Sequence, residues 1–209
     1  MRALLAGVLL CAGCVSMTDF QSPETLSPGN VSVGGGLAYV RPLPEANFLF
    51  RYGLFDNVDV GAKLTLPALV TADVKWQFVR NPLSIAFYVG GSYGHTPFIF
   101  DVADEAKVYT VYPELLVGNG RFYAAARALV VHTDEIRKTH YVALDSITAW
   151  YPQVFIGGSF GDRLRVIPEL SLTFGEFYRR GLLPPVPGIG IALQYGPGAS
   201  EDDDEILDW

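Results

Sequence analysis

The connections between strand-like segments alternate in length, and this ordering constrains the fold more than any single residue. From Asn30 onward, about ten segments have strand character. Every second gap is a tight turn: Phe55-Asp56-Asn57, Arg80-Asn81-Pro82, Gly118-Asn119-Gly120 and Gly161-Asp162. Most other gaps are longer: His95 to Ala106, Thr133 to Asp145 and Gly175 to Pro187. In an antiparallel meander, successive connections fall at opposite ends. Sorting them by length therefore makes the two ends of the sheet different.

Within the segments, side chains alternate with period two. In Val58 to Leu66, the residues Val58, Val60, Ala62, Leu64 and Leu66 share one face, and Asp59, Gly61, Lys63 and Thr65 share the other. Val70 to Phe78, Arg121 to His132 and Leu164 to Phe174 read the same way. Weaker cases are Asn30 to Arg41, Asn47 to Leu54, Leu83 to Gly94, Lys107 to Gly118, Ser146 to Phe160 and Gly188 to Tyr195. The chain is 50% hydrophobic, yet no run approaches the length of a spanning helix. A formal charge of −7 argues against a nucleic-acid partner, which would need clustered Lys and Arg.

Three features place the apolar face outside. Charge is confined to the other parity in the best-defined strands. Aromatics of the apolar parity gather towards strand ends: Tyr52, Trp76, Phe78, Phe122 and Tyr195 towards the short turns, and Tyr39, Phe48, Tyr109, Trp150 and Phe174 towards the long loops. Two such groups are expected where a barrel meets two water interfaces. Small residues fill the opposite parity: Gly34, Gly36 and Ala38; Ser84, Ala86, Gly90 and Ser92; Gly190 and Ala192. Together with the sorted loops, this predicts an all-β fold: a closed antiparallel up-and-down transmembrane β-barrel of about ten strands over residues 30–196.

Two resemblances sharpen this. Leu10-Cys11-Ala12-Gly13-Cys14, after Arg2 and the apolar run Ala3 to Leu10, resembles the lipobox of bacterial lipoproteins. It implies a signal peptide over residues 1–13 and acylation of Cys14. It also implies sorting to the outer membrane, since Val15 and Ser16 follow rather than Asp. Residues 14–29, rich in Ser, Thr, Pro and Gln, then read as a flexible tether. Gly188-Ile189-Gly190-Ile191-Ala192-Leu193-Gln194-Tyr195 resembles the terminal signal of bacterial outer-membrane β-barrel proteins. That family implies contact with outer-membrane lipid and with the barrel-assembly and lipoprotein-sorting machinery. The expected location is the outer membrane, both lipid-anchored and spanning. Residues 197–209, with Glu201-Asp202-Asp203-Asp204-Glu205, read as an acidic periplasmic tail.

The lumenal parity collects Arg51, Asp59, Lys63, Asp73 and Lys75 early in the barrel, and Glu114, Arg127, Arg165 and Glu169 later. These groups are expected to face each other as an ion-pair network filling the bore, because unpaired buried charges are costly. The other reading is a narrow polar path for small solutes. Pro113, Pro152 and Pro168 predict local bulges, each followed by a lumenal Glu or Gln. The histidines, with His132-Thr133-Asp134 the most suggestive, fall at the long-loop end. They give a weak case for a rim enzyme acting on lipid A or peptides, resembling omptin proteases or lipid A deacylases. A lipid-tethered periplasmic lipocalin-like binding protein is the remaining alternative, and it requires Trp76, Phe78 and Leu172 to point inward. The sequence calls for no cofactor, metal site or catalytic residue.

Overall fold

The structure, a computed structural model, describes residues 18–40, 43–66, 69–95, 107–134, 147–174, 176–177, 181–182 and 185–197. The proposed signal peptide, Cys14, His140, the 96–106 loop with Asp101 and Asp104, Glu135 and the acidic tail lie outside these residues.

Ten long strands close into one antiparallel barrel. They are β1 (Val31–Val40), β2 (Leu43–Phe55), β3 (Val58–Leu66), β4 (Leu69–Val79), β5 (Ser84–His95), β6 (Lys107–Gly118), β7 (Phe122–Thr133), β8 (Ile147–Gly158), β9 (Leu164–Thr173) and β12 (Val186–Tyr195). A separate two-stranded ribbon, β10 (Glu176–Phe177) and β11 (Gly181–Leu182), lies between β9 and β12. Consecutive barrel strands pair as neighbours, and β1 with β12 closes the sheet, from Val33 opposite Tyr195 to Val40 opposite Gly188. Each of the ten barrel strands has a neighbour on both sides, which reduces the aggregation hazard of unpaired strands.

The strand lengths match what a tilted strand needs to cross a bilayer, about nine to eleven residues. The period-two reading is realised throughout. Along β4, Leu69, Thr71, Asp73, Lys75 and Gln77 are buried while Val70, Ala72, Val74, Trp76 and Phe78 are exposed. Trp76, Phe78 and Leu172 are 50%, 47% and 39% exposed, whereas Lys63 and Asp73 are buried. The barrel is therefore polar inside and greasy outside, and the soluble-binder alternative is overturned. Register is fixed by this polarity, because a one-residue slip would turn every ionised side chain outward.

The prolines behave differently from expectation. No register shift accompanies Pro113, Pro152 or Pro168; the shifts fall at Gly53/Phe55 and Gln77/Val79, beside short turns. Each proline instead sits where pairing on one side is missing. The β6–β7 ladder omits positions 112 and 113. The β8–β9 ladder runs only from Gln153 opposite Thr173 to Gly157 opposite Glu169, between Pro152 and Pro168. Proline has no N–H to donate, so pairing lapses, yet the residues after it stay in register with side chains inward. Glu114, Gln153 and Glu169 are all at most 2% exposed.

The largest departure concerns residues 18–29, expected as part of a flexible tether. Residues 18–27 run inside the bore, and Pro28 and Gly29 are exposed. Thr18, Asp19 and Phe20 have no exposed surface, and Gln21, Thr25 and Leu26 are buried. The reason is volume: eight strands enclose a space that side chains just fill, and ten enclose more. A single peptide takes up the difference.

Candidate functional site in the barrel bore

Where the plug enters, Gly29 N–H donates to the Gly53 carbonyl (2.9 Å) and Gly53 N–H to the Asn30 carbonyl (2.9 Å). A Cβ on Gly53 would stand 2.1 Å from the Ser27 carbonyl oxygen, so only glycine admits the chain there. Further in, the wall satisfies the plug backbone with side chains. Leu26 N–H donates to Asp59 (3.2 Å) and Thr25 N–H to Gln77 (3.1 Å). Lys75 Nζ donates to the Ser22 and Glu24 carbonyls (3.1 and 2.6 Å), and Lys63 Nζ to the Thr18 carbonyl (2.8 Å). A segment outside the named strands thereby has these buried backbone groups satisfied by the wall.

At the centre, Phe20 has φ 56°, a left-handed conformation unusual for a bulky residue. Beside this turn two successive N–H groups meet one anion, the concave arrangement that binds carboxylates. Asp19 N–H and Phe20 N–H donate to the two oxygens of Glu169, each at 2.8 Å, and Tyr123 Oη adds a third bond at 2.7 Å. The Phe20 ring enters a socket where Cβ atoms on Gly36 and Gly190 would come within 2.9 and 2.6 Å of it. Ala38, Leu49, Ile167 and Ala192 complete this apolar cluster with Tyr123. The small residues of β1 and β12 thus make room for Phe20 rather than for a crevice.

The nine charged residues anticipated for the bore are all buried. They do not form one continuous network. Arg51 binds both Asp59 and Asp73, and Lys75 lies 3.3 Å from Asp59. Arg127 binds Glu114 at 2.5 Å and, on the plug, Asp19 at 2.8 Å. Glu169 meets backbone N–H groups and a tyrosine rather than an arginine. Arg165 lies 3.5 Å from Ser32 Oγ, apart from both ion clusters. What joins the clusters is aromatic. The Arg51 guanidinium lies 5.5 Å from the Tyr88 ring, Tyr88 stacks on Tyr112 at 5.7 Å, and Arg127 sits 4.3 Å from Tyr112 and 4.8 Å from Phe155. Such contacts favour a cation where water is excluded. Tyr88 and Tyr112 were legible only as lumenal-parity aromatics.

The ten aromatics expected in girdles all face outward. Phe48 departs from the end-of-strand pattern, lying mid-strand opposite Gly35 and Leu64. At the long-loop rim, His132 Nδ1 lies 2.8 Å from Thr148 Oγ1, and Nε2 lies 3.6 Å from Asp134. Both side chains of that pair are more than 40% exposed. Among the described residues, no group of three or more His, Cys, Asp or Glu could hold a metal ion.

No family model matches the chain, and no curated protein matches its sequence. Solved structures with a similar course include the N-terminal β-barrel domain of Pseudomonas aeruginosa OprF, at 11% identity, covering 81% of this chain and 100% of that one, with TM-score 0.37. The translocator domain of the autotransporter NalP from Neisseria meningitidis is 10% identical, covering 94% and 95%, with TM-score 0.39. Neisserial surface protein A is 9% identical, covering 81% and 94%, with TM-score 0.31. At such scores they carry no information on activity.

Proposed function

We propose that this chain is an outer-membrane β-barrel protein whose bore is closed by its own amino-terminal segment, so that it serves as a sealed structural element rather than an open solute pore. The observation that carries the closure is the clamp on Asp19 and Phe20, between Arg127 on β7 and Glu169 on β9. The membrane location is supported by the exterior. Val70, Val74, Leu170, Ile189 and Leu193 are 49–58% exposed with no charge among them, a surface suited to acyl chains and unsuited to water.

The proposal extends to Cys14. Acylation there would add a second attachment, with each buried methylene contributing about 0.8 kcal/mol. It would engage the lipoprotein-sorting machinery as well as the barrel-assembly machinery. A rim enzyme gains little support, since His132, paired with Thr148 and Asp134, is exposed.

Planar-bilayer recording tests the closure. The wild-type protein is expected to insert without current steps, and Asp19→Ala/Phe20→Ala, which loosens the plug, to conduct. Steady wild-type conductance would favour the open-pore reading.

A further inference from the structure

The wall that clamps the plug carries a furrow on its outer side. Tyr123, Gly157, Glu169, Gly190, Ala38 and Glu45 stand side by side on β7, β8, β9, β12, β1 and β2. The side chains of Tyr123, Glu169, Ala38 and Glu45 are buried in the bore, so this row offers its backbone to the outside. Outward-facing positions flank it on both sides. One bank is Ile156, Leu170, Ile189, Tyr39 and Pro44. The other is Phe122, Gly158, Pro168, Ile191 and Leu37. With Phe160, these three rows line a cavity of about 1050 Å³, as large as a small-molecule site. Neither bank carries a charged residue.

The furrow crosses the barrel obliquely. It starts at Phe122, the first residue of β7 at the short-turn end, and finishes at Pro44, the second residue of β2 at the long-loop end. With strands about 4.8 Å apart, the row from β7 to β2 is about 24 Å long. At a strand tilt of about 40° it climbs about 15 Å across the membrane, half of a hydrocarbon core about 30 Å thick. That is the course of one acyl chain within one leaflet. The short-turn end is aromatic. The Phe122 and Phe160 rings pack edge to face at 5.7 Å, and Phe160 lies 2.7 Å from where a Cβ on Gly158 would stand. Arg121 precedes Phe122, and its carbonyl accepts the Ser159 N–H at 2.8 Å, so the β6–β7 and β8–β9 turns adjoin. Arg163 lies on the second of these turns. Both arginines are exposed, as is Asp162 beside Arg163.

We infer that the furrow holds one acyl chain of a phospholipid from the leaflet at the short-turn end, with the lipid phosphate on Arg121 and Arg163. This rests on the outer-membrane reading above. Charge sets the direction of the lipid. The banks match hydrocarbon along their whole length, and the cations stand where the furrow meets the short turns. At the Tyr39 and Pro44 end, the described lining offers no cation. Guanidinium groups bind phosphate through paired N–H donors, and two of them on adjoining turns outweigh the one carboxylate of Asp162. Gly158 and Pro168 keep one bank low between Phe122 and Ile191, which gives the chain its depth. The lipid then lies back to back with the plug. Glu169 holds Asp19 and Phe20 from within, while its neighbours Pro168 and Leu170 face the acyl chain.

The test is native mass spectrometry of the full-length, folded protein in detergent, with three probes. Dioleoylphosphatidylglycerol has chains and phosphate, dioleoylglycerol has the chains alone, and glycerol phosphate has the phosphate alone. The wild type is expected to retain one phosphatidylglycerol per barrel and neither of the other two. Arg121→Ser/Arg163→Ser should bind it at least about tenfold more weakly. Arg80→Ser, which removes the same kind of charge from a short turn outside the furrow, should bind it as the wild type does. Equal retention of phosphatidylglycerol and dioleoylglycerol, retention of glycerol phosphate, or equal losses in Arg80→Ser and the double variant overturns the inference. Flotation of the same protein with phosphatidylglycerol vesicles tests the membrane reading separately. A protein that floats yet retains no lipid contradicts the site alone. One that does not float contradicts the membrane reading and the site with it.

Discussion

Glu169 on β9 receives the N–H groups of two successive plug residues, Asp19 and Phe20, one on each carboxylate oxygen at 2.8 Å. The wall thereby recognises the plug through its backbone. A hydrogen bond to a charged group contributes roughly 1.5–3 kcal/mol. Glu169→Gln, which turns one acceptor into a donor facing those N–H groups, is expected to lower stability by about 2–4 kcal/mol. Tyr123→Phe, losing one neutral donor, should cost about 1–2 kcal/mol. Urea unfolding in lipid, followed by tryptophan fluorescence, checks both values and their order.

Arg127 neutralises one carboxylate of the wall and one of the plug, Glu114 and Asp19. Arg127→Met leaves two carboxylates buried with no cation between them, and should cost about 3–5 kcal/mol. Neutralising all three groups in Asp19→Asn/Glu114→Gln/Arg127→Met removes that penalty, so the triple variant should be more stable than Arg127→Met alone. A triple variant less stable than the single would contradict the pairing, because Asp19 and Glu114 would then stabilise the barrel without their cation.

Phe20 and Gly190 are coupled by volume. Gly190→Val places methyl groups where the Phe20 ring lies, and overpacking of this kind costs about 1–3 kcal/mol. Phe20→Ala creates a cavity in the same place. The double variant Phe20→Ala/Gly190→Val should be more stable than the sum of the two single effects predicts, by about 1 kcal/mol or more in a double-mutant cycle. Additive effects would mean the ring and the glycine are not in contact.

The exterior gives a depth-dependent prediction. Val74 lies mid-strand in β4 and Phe78 near the short turn. In a bilayer, Val74→Arg should cost about 2–4 kcal/mol and Phe78→Arg about 0–1 kcal/mol. Equal, small costs at both positions would show that this face does not meet hydrocarbon.

The barrel was legible because side chains of a strand alternate strictly, so Asp59, Lys63, Asp73, Arg127 and Glu169 share one face by parity, and the end-of-strand aromatics and small residues opposite the apolar face mark that face as the inner one. Which charge meets which was not, because partners depend on the stagger around the closed sheet. That is why Glu114 meets Arg127 while Glu169 meets plug N–H groups and Tyr123. The plug was missed because Ser, Thr, Pro and Gln over residues 15–29 signal loop and carry no periodicity. A signal did exist on the wall. Gly36, Gly190 and Ala192 share the lumenal face of adjacent strands, and small residues gathered there imply something else occupying the space. The prolines misled because a missing donor can be absorbed by lost pairing as well as by a bulge.

The occupancy of the bore is most directly tested by a disulfide between plug and wall. Thr18→Cys/Phe20→Ala/Gly190→Cys, with Cys14 replaced by serine, puts a Cβ at position 190 where it would stand 3.2 Å from Thr18 Cγ2, the shortened Phe20 clearing the 2.6 Å clash. Oxidation of the folded protein should close a loop that migrates as a distinct, reducible band after unfolding, in most of the molecules. A folded barrel that forms no such band, while the same cysteines react freely with a small maleimide, would contradict a segment seated in the bore.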